Sequence, residues 1–275
     1  MMLSTTNYEA RKYGIRAGQP GFVGKQLARE LGSTTLKIVP TNFDLYMQIA
    51  QDVRSVLKTY DPNFDPLGAD ESFMDLTDCV RARREFPPEA KVVLESPCQE
   101  RSILTVKLHE ISFFFNERQI LDLQKPCFRL GKTCEKSIQQ LIKIKPSKRP
   151  SYVKCDFCGR NLWHQFGDSA EDTVREMRLK VYNKTKLTCS AGIGPNRLIA
   201  KIASDMNKPN GQFRVESTAE KVESFVRMLP VRKMFGVGKV SAFLLKEAFD
   251  IETVEDLYNQ RYNLPFGFKM RSKFI

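Results

Sequence analysis

Two adjacent carboxylates, Asp70 and Glu71, sit in the stretch LGADESFMDLT (67–77), just where Phe73, Met74 and Leu76 bring apolar bulk to a strand. Neighbouring like charges repel, and in a regular strand the two would point to opposite faces. Buried there without a partner they would be costly. At a hairpin bend both can converge on one point, and DPLGAD supplies the Pro and Gly for such a bend. Convergent carboxylates suit a hard divalent cation that takes oxygen ligands and keeps part of its water shell, Mg²⁺ rather than Zn²⁺, since no His or Cys adjoins. A solvated turn with both acids facing water is the competing reading.

Three further groups carry chemistry. In STTNYEARKYGIR, a helix would set Thr5, Tyr8 and Arg11 at i, i+3 and i+6. A hydroxyl, a phenol and a guanidinium near a helix N-terminus make an anion site, or else a merely basic helix surface. Lys208, in AKIASDMNKPNG, stands where a helix stops before a Pro-Asn-Gly turn. There it is either a fixed point charge for phosphate or a helix-terminal lysine favoured by the dipole. LPVRKMFGVGK reads as a short helix, a glycine turn and a second helix flanked by Lys239, suited to sequence-independent contact with a nucleic-acid backbone.

Other chemistries find less support. Only His109 and His164 are present, and no Ser-His-Asp or Cys-His pattern surrounds them. Cys155 and Cys158 form one C-x-x-C pair; a zinc site would need Cys127, Cys134 or His164 at irregular spacing. Asn183-Lys184-Thr185 matches a glycosylation acceptor, which an intracellular chain would not use.

The elements that must position these residues follow from pattern. The chain has 275 residues, 41% hydrophobic and 28% charged, enough for two or three domains. Its net charge of +12 favours a polyanionic partner, nucleic acid before a membrane surface. No apolar run is long enough to span a bilayer, the N-terminus has no apolar signal core, and seven scattered cysteines read as reduced thiols, so an intracellular setting is expected. Residues 4–31 read as helical with a break around Gly14–Gly21, and LKIVP (36–40) as a short strand. Residues 42–60 read as a helix capped by Asn42. Residues 81–164 read as a partly disordered insertion with one alternating stretch, 102–115. Order returns with a helix begun by Ser169 and Asp172, a strand in KLTCSAGIGP, a helix in NRLIAKIASDMN, and short helices over 217–258.

Taken in order, TNYEARKYGIRAGQP, ADESFMDLT, SAGIGPNRLIAKIASDMNKPNGQF and LPVRKMFGVGK resemble the Y family of translesion DNA polymerases, on its DinB-like branch. The likeness covers residues 2–80 and 166 to about 262. It implies an α+β fold: a palm with an antiparallel or mixed sheet and packed helices (41–80 and 165–212), small helical fingers (2–40), and a partial helical thumb (213–275) with a helix-hairpin-helix-like element. The resemblance gives no reading of the insertion 81–164. The resemblance implies that Asp70 and Glu71 are catalytic metal ligands, that Thr5, Tyr8, Arg11 and Lys208 hold the incoming deoxynucleoside triphosphate, and that GVGK grips duplex DNA. The implied activity is template-directed, Mg²⁺-dependent nucleotidyl transfer to a primer 3′-OH in translesion synthesis and DNA repair. Two Mg²⁺ ions, primer–template DNA, replication or repair partner proteins and a nuclear setting come with it.

Two departures temper that expectation. The family's palm opens with a strand bearing a further metal-binding aspartate and an aromatic that screens out ribonucleotides; neither is found here. Asp44, Asp65 and Asp75 do not match its position. Near RYNLPFGFKMRSKFI the chain diverges from the family's thumb. With one ligand absent the metal site is incomplete, so a catalytically inactive DNA-binding fragment is the alternative. An open palm edge, and with it low solubility or reliance on a partner, is expected.

Overall fold

The computed structural model describes residues 1–32, 36–86, 91–95, 111–115, 161–234 and 236–264. Cys127, Cys134, Cys155, Cys158 and His109 lie outside the described residues, as does most of the insertion. The chain divides into two compact units, Met1–Phe213 and Arg214–Ile275.

The first unit opens with α1 (Tyr8–Lys12) and α2 (Gly21–Glu30). Asn7 caps α1 by accepting from the Ala10 amide at 2.9 Å. Thr5 therefore precedes the helix, and only Tyr8 and Arg11 of the expected row lie on it. Leu3, Ala10, Ile15 and Ala28 close a small core, with Leu36 and Ile38 packed against it. The expected strand at 36–40 is not formed. Its alternating apolar residues serve this core instead, without a strand partner. Helix α3 (Phe43–Leu57) starts at Asn42, which accepts from the Leu45 amide at 3.1 Å.

A mixed five-stranded sheet dominates the unit, in the order β1-β2-β4-β6-β7. Its strands are β1 (Asp65–Leu67), β2 (Glu71–Met74), β4 (Ile111–Phe115), β6 (Cys189–Ile193) and β7 (Gln212–Arg214). β1 and β2 form an antiparallel hairpin. β4 runs parallel to both β2 and β6, with Ser112 level with Glu71 and with Ser190. The segment expected to be a partly disordered insertion thus supplies a central strand of the sheet, between β2 and β6. Residues 111–115 pair on both sides, because their β-favouring run finds two parallel partners that local pattern cannot reveal. The insertion also gives β3 (Val92–Leu94), which pairs antiparallel with β5 (Trp163–Gln165) in a second sheet.

Helix α4 (Thr77–Arg83), α3 and α5 (Ala170–Thr185) pack with the large sheet around Leu57, Met74, Leu76, Val174, Met177 and Val181. Ser169 caps α5, accepting from the Asp172 amide at 3.0 Å. A polar knot is buried in this core. Glu176 receives the Arg83 guanidinium at 2.5 Å, the Lys180 ammonium at 2.7 Å and the Tyr60 hydroxyl at 2.8 Å, while Arg83 Nε donates to the Gly167 carbonyl at 2.7 Å. Burial opposes ionisation of Glu176, but Lys180 and Arg83 outweigh it and hold the carboxyl below its usual range. Burial, reinforced by Glu176, pushes the Tyr60 phenol well up; burial raises the Cys79 thiol to about 12. Cys79 is therefore an inert core residue.

A carboxylate with a lowered folded pKa stabilises above its unfolded pKa of about 4.3, and that contribution is lost as pH falls through the folded value. Urea midpoints of the native chain should therefore fall on acidification below about pH 5 more steeply than those of Glu176→Gln. At neutral pH, Glu176→Ala should cost about 3–5 kcal/mol, because it strands a buried guanidinium.

Helix α6 (Arg197–Ser204) follows β6, with Asn196 as its cap. The second unit comprises α7 (Ala219–Arg227), a 3₁₀ turn (Val231–Lys233), α8 (Lys239–Phe249) and α9 (Val254–Asn259) around Val231, Leu245 and Ile251. Thr253 and Asp256 close a capping box on α9.

Candidate metal and nucleotide site

The hairpin turns through Gly68, Ala69 and Asp70. Gly68 has φ +78°, a left-handed angle open to glycine at little cost. Arg54, from α3, donates to the Gly68 carbonyl at 2.8 Å and fastens the bend. Asp70 is exposed in the turn, and Glu71, the first residue of β2, is half-buried. The two carboxylates therefore occupy a bend, not a strand interior. Beyond them Met74 and Leu76 are buried, at 2% and 1% exposure, and anchor the strand in the core. Phe73 stays half-exposed, beneath the Arg197 guanidinium at 5.2 Å.

α6 brings bases to this hairpin. Its inner face, Ile199, Ala200, Ile202, Ala203 and Ser204, is buried against the sheet. Gly192 in β6 permits the approach, since a Cβ there would lie 1.9 Å from the Ala200 carbonyl oxygen and 2.3 Å from the Ser204 nitrogen. On the outer face, Lys201 contacts Glu71 at 2.7 Å, and Arg197, one turn earlier, contacts Asp65 at 2.6 Å. Sequence reading missed both bases. The signal was an i, i+4 pair of cations opposite the buried isoleucines.

Asp65 and Asp75 already have partners, Arg197 for the first and the Thr77 amide and hydroxyl for the second. Among the described residues no group of three His, Cys, Asp or Glu side chains could together hold a metal ion. The two adjacent carboxylates nonetheless fit Mg²⁺, a hard cation usually bound by one or two carboxylates with waters and substrate phosphates completing its shell.

The expected phosphate-binding residues fall into two places. Tyr8 and Arg11 stack, guanidinium over ring at 4.7 Å, and Arg11 Nε donates to the Thr6 carbonyl at 3.1 Å. Thr5 is exposed before the cap. With only five residues in α1, the expected helix-dipole contribution is corrected to a minor one. Lys208 lies beyond α6 and pairs with Asp205 at 2.8 Å. Its turn is held by Arg178 of α5, which donates to the Cys189 carbonyl at 2.8 Å, to Gln212 at 3.1 Å and to Asn210 at 2.8 Å. Arg178 was also missed; its fork joins two strands and a turn that are distant in sequence.

In the second unit the glycine turn leads into α8, with Gly238 as the residue before the helix and Lys239 exposed as its first. His164, weighed as a zinc ligand, contacts Glu95 at 3.0 Å.

Comparison with known proteins bears on the family and the fold. The impB/mucB/samB family matches residues 1–205. DNA polymerase kappa from Homo sapiens is 35% identical over 98% of this chain and 30% of its own length. DNA polymerase kappa from Caenorhabditis elegans is 35% identical over 96% of this chain and 38% of its own. DNA polymerase IV from Francisella tularensis subsp. novicida is 28% identical over 93% and 47%. The chain thus spans between 30% and 47% of these relatives' lengths. In fold it is similar to the crystal structure of DinB from Sulfolobus solfataricus, with TM-score 0.54 and 20% identity over 94% of this chain and 49% of that one. A Y-family DNA polymerase chimera gives TM-score 0.52 and 19% identity over 95% and 50%.

Proposed function

The chain belongs to the impB/mucB/samB family, and from that premise we propose that it works as part of a translesion DNA polymerase, extending a primer 3′-OH with deoxynucleoside triphosphates. The observation that carries this reading is the hairpin bend that sets Asp70 beside Glu71 at the start of β2. Asp70 and Glu71 would hold Mg²⁺. That ion, when bound, neutralises phosphate charge and stabilises the oxygens that exchange partners. The protein's own groups orient the substrate. Arg11, with Tyr8 beneath it, presents a planar fork to phosphate oxygens, and Lys208, on leaving Asp205, supplies a point charge. Thr5 adds a hydroxyl donor. Met74 and Leu76 keep the carboxylates fixed while charge redistributes.

The net charge of +12 supports DNA as the macromolecular partner. Lys239 and the turn before it suit backbone contact that does not depend on sequence. In this reading residues 2–40 act as fingers, 41–80 and 165–212 as palm, and 213–275 as part of a thumb, in a nuclear protein that meets other replication or repair factors. The kappa relatives, from animals, support the nuclear setting.

Nucleotide titration of single-turnover primer extension tests the substrate half. Lys208→Ala and Arg11→Ala should each raise the apparent Kd for the incoming nucleotide about tenfold, the scale of one charge-assisted phosphate contact. Unchanged affinity in both would remove these residues from the site.

A further inference from the structure

The pairing of Lys201 with Glu71 goes beyond positioning, and its meaning rests on the reading of Glu71 as a metal ligand. α6 cannot retreat from the hairpin, because five of its eight residues are buried and Gly192 lets its backbone touch the sheet. Its two outward bases grip different strands. Arg197 holds Asp65 on β1 and covers the Phe73 ring, two residues along β2 from Glu71. Lys201 instead contacts Glu71 itself, at 2.7 Å, with both side chains partly open to water, at 44% and 29% exposure.

We propose that Lys201 is an exchangeable counter-cation. It holds the Glu71 carboxylate in place while no metal is bound, and must withdraw when a divalent cation arrives. An ammonium left on that carboxylate would repel the incoming ion, whereas its flexible four-carbon stem lets it swing aside. Arg197 keeps the hairpin seated during the exchange. The released ammonium is then available to a polyphosphate, so metal affinity is held down until nucleotide is present.

Mn²⁺ binding, followed by the electron paramagnetic resonance of the free ion without nucleotide, tests this. Lys201→Met should bind Mn²⁺ about tenfold more tightly than the native chain, the scale of one like-charge repulsion near a solvated surface. The gain should vanish in Lys201→Met/Glu71→Gln, and Arg197→Met should show none. Lys201→Gln, which keeps a polar side chain, should repeat the gain if the methionine variant folds poorly. Equal or weaker binding by both Lys201 variants, or a gain that survives Glu71→Gln, overturns the exchange. If the native chain and Glu71→Gln bind Mn²⁺ equally, the assignment of Glu71 as a ligand fails instead, and the exchange falls with it.

Discussion

Gly192→Ala is expected to destabilise the first unit by about 4 kcal/mol or more, the range reached when a core substitution has no room. The added methyl would sit 1.9 Å from the Ala200 carbonyl oxygen and 2.9 Å from the Ser204 Cα. Both are backbone of α6, so no side-chain rotation relieves the overlap. The helix would have to lift from β6, exposing Ile199, Ala200, Ile202 and Ala203 and carrying Lys201 away from Glu71. Typical domains have only about 5–15 kcal/mol of stability, so most of it would be spent. Urea unfolding monitored by circular dichroism checks this. Gly238→Ala, where a Cβ would meet nothing within 4 Å, should cost about 1 kcal/mol or less.

Glu71→Ala is expected to cut the rate of nucleotide incorporation about a thousandfold while leaving stability within about 1 kcal/mol. Glu71 is half-buried at the start of a strand, and its ion pair with Lys201 is partly open to water, so the fold depends little on it. Catalysis would depend on it heavily, because a metal-binding carboxylate acts where charge develops and cannot be replaced by solvent in the same geometry. Primer binding should be unchanged, since affinity for the DNA backbone comes from cationic side chains that neutralise phosphates, and Glu71 is an acid. Anisotropy titration and single-turnover extension on the same sample separate the two effects.

Much of this arrangement was legible in local chemistry. Gly68 and Pro66 announced the bend at Asp70, and Asn42 and Ser169 announced their helices by capping. These signals act over four residues or fewer. What escaped depended on distant partners. Leu36 and Ile38 alternate like a strand but are drawn into a small core, and Asn7 starts α1 too late for Thr5 to join it. The strand at 111–115 was visible as an alternating stretch, yet nothing local placed it between β2 and β6. Lys201 and Glu71 are 130 residues apart, and their contact follows from Gly192 admitting α6 to the sheet.

The central claim is that the bend acids serve templated nucleotidyl transfer. Its most direct measurement is single-nucleotide incorporation on a primer–template, with Mg²⁺ and each deoxynucleoside triphosphate in turn. The native chain should add the nucleotide complementary to the template base, cease without Mg²⁺, and lose the activity with Glu71→Ala. Binding of the primer–template with no incorporation, or incorporation undiminished in Glu71→Ala, would contradict the account.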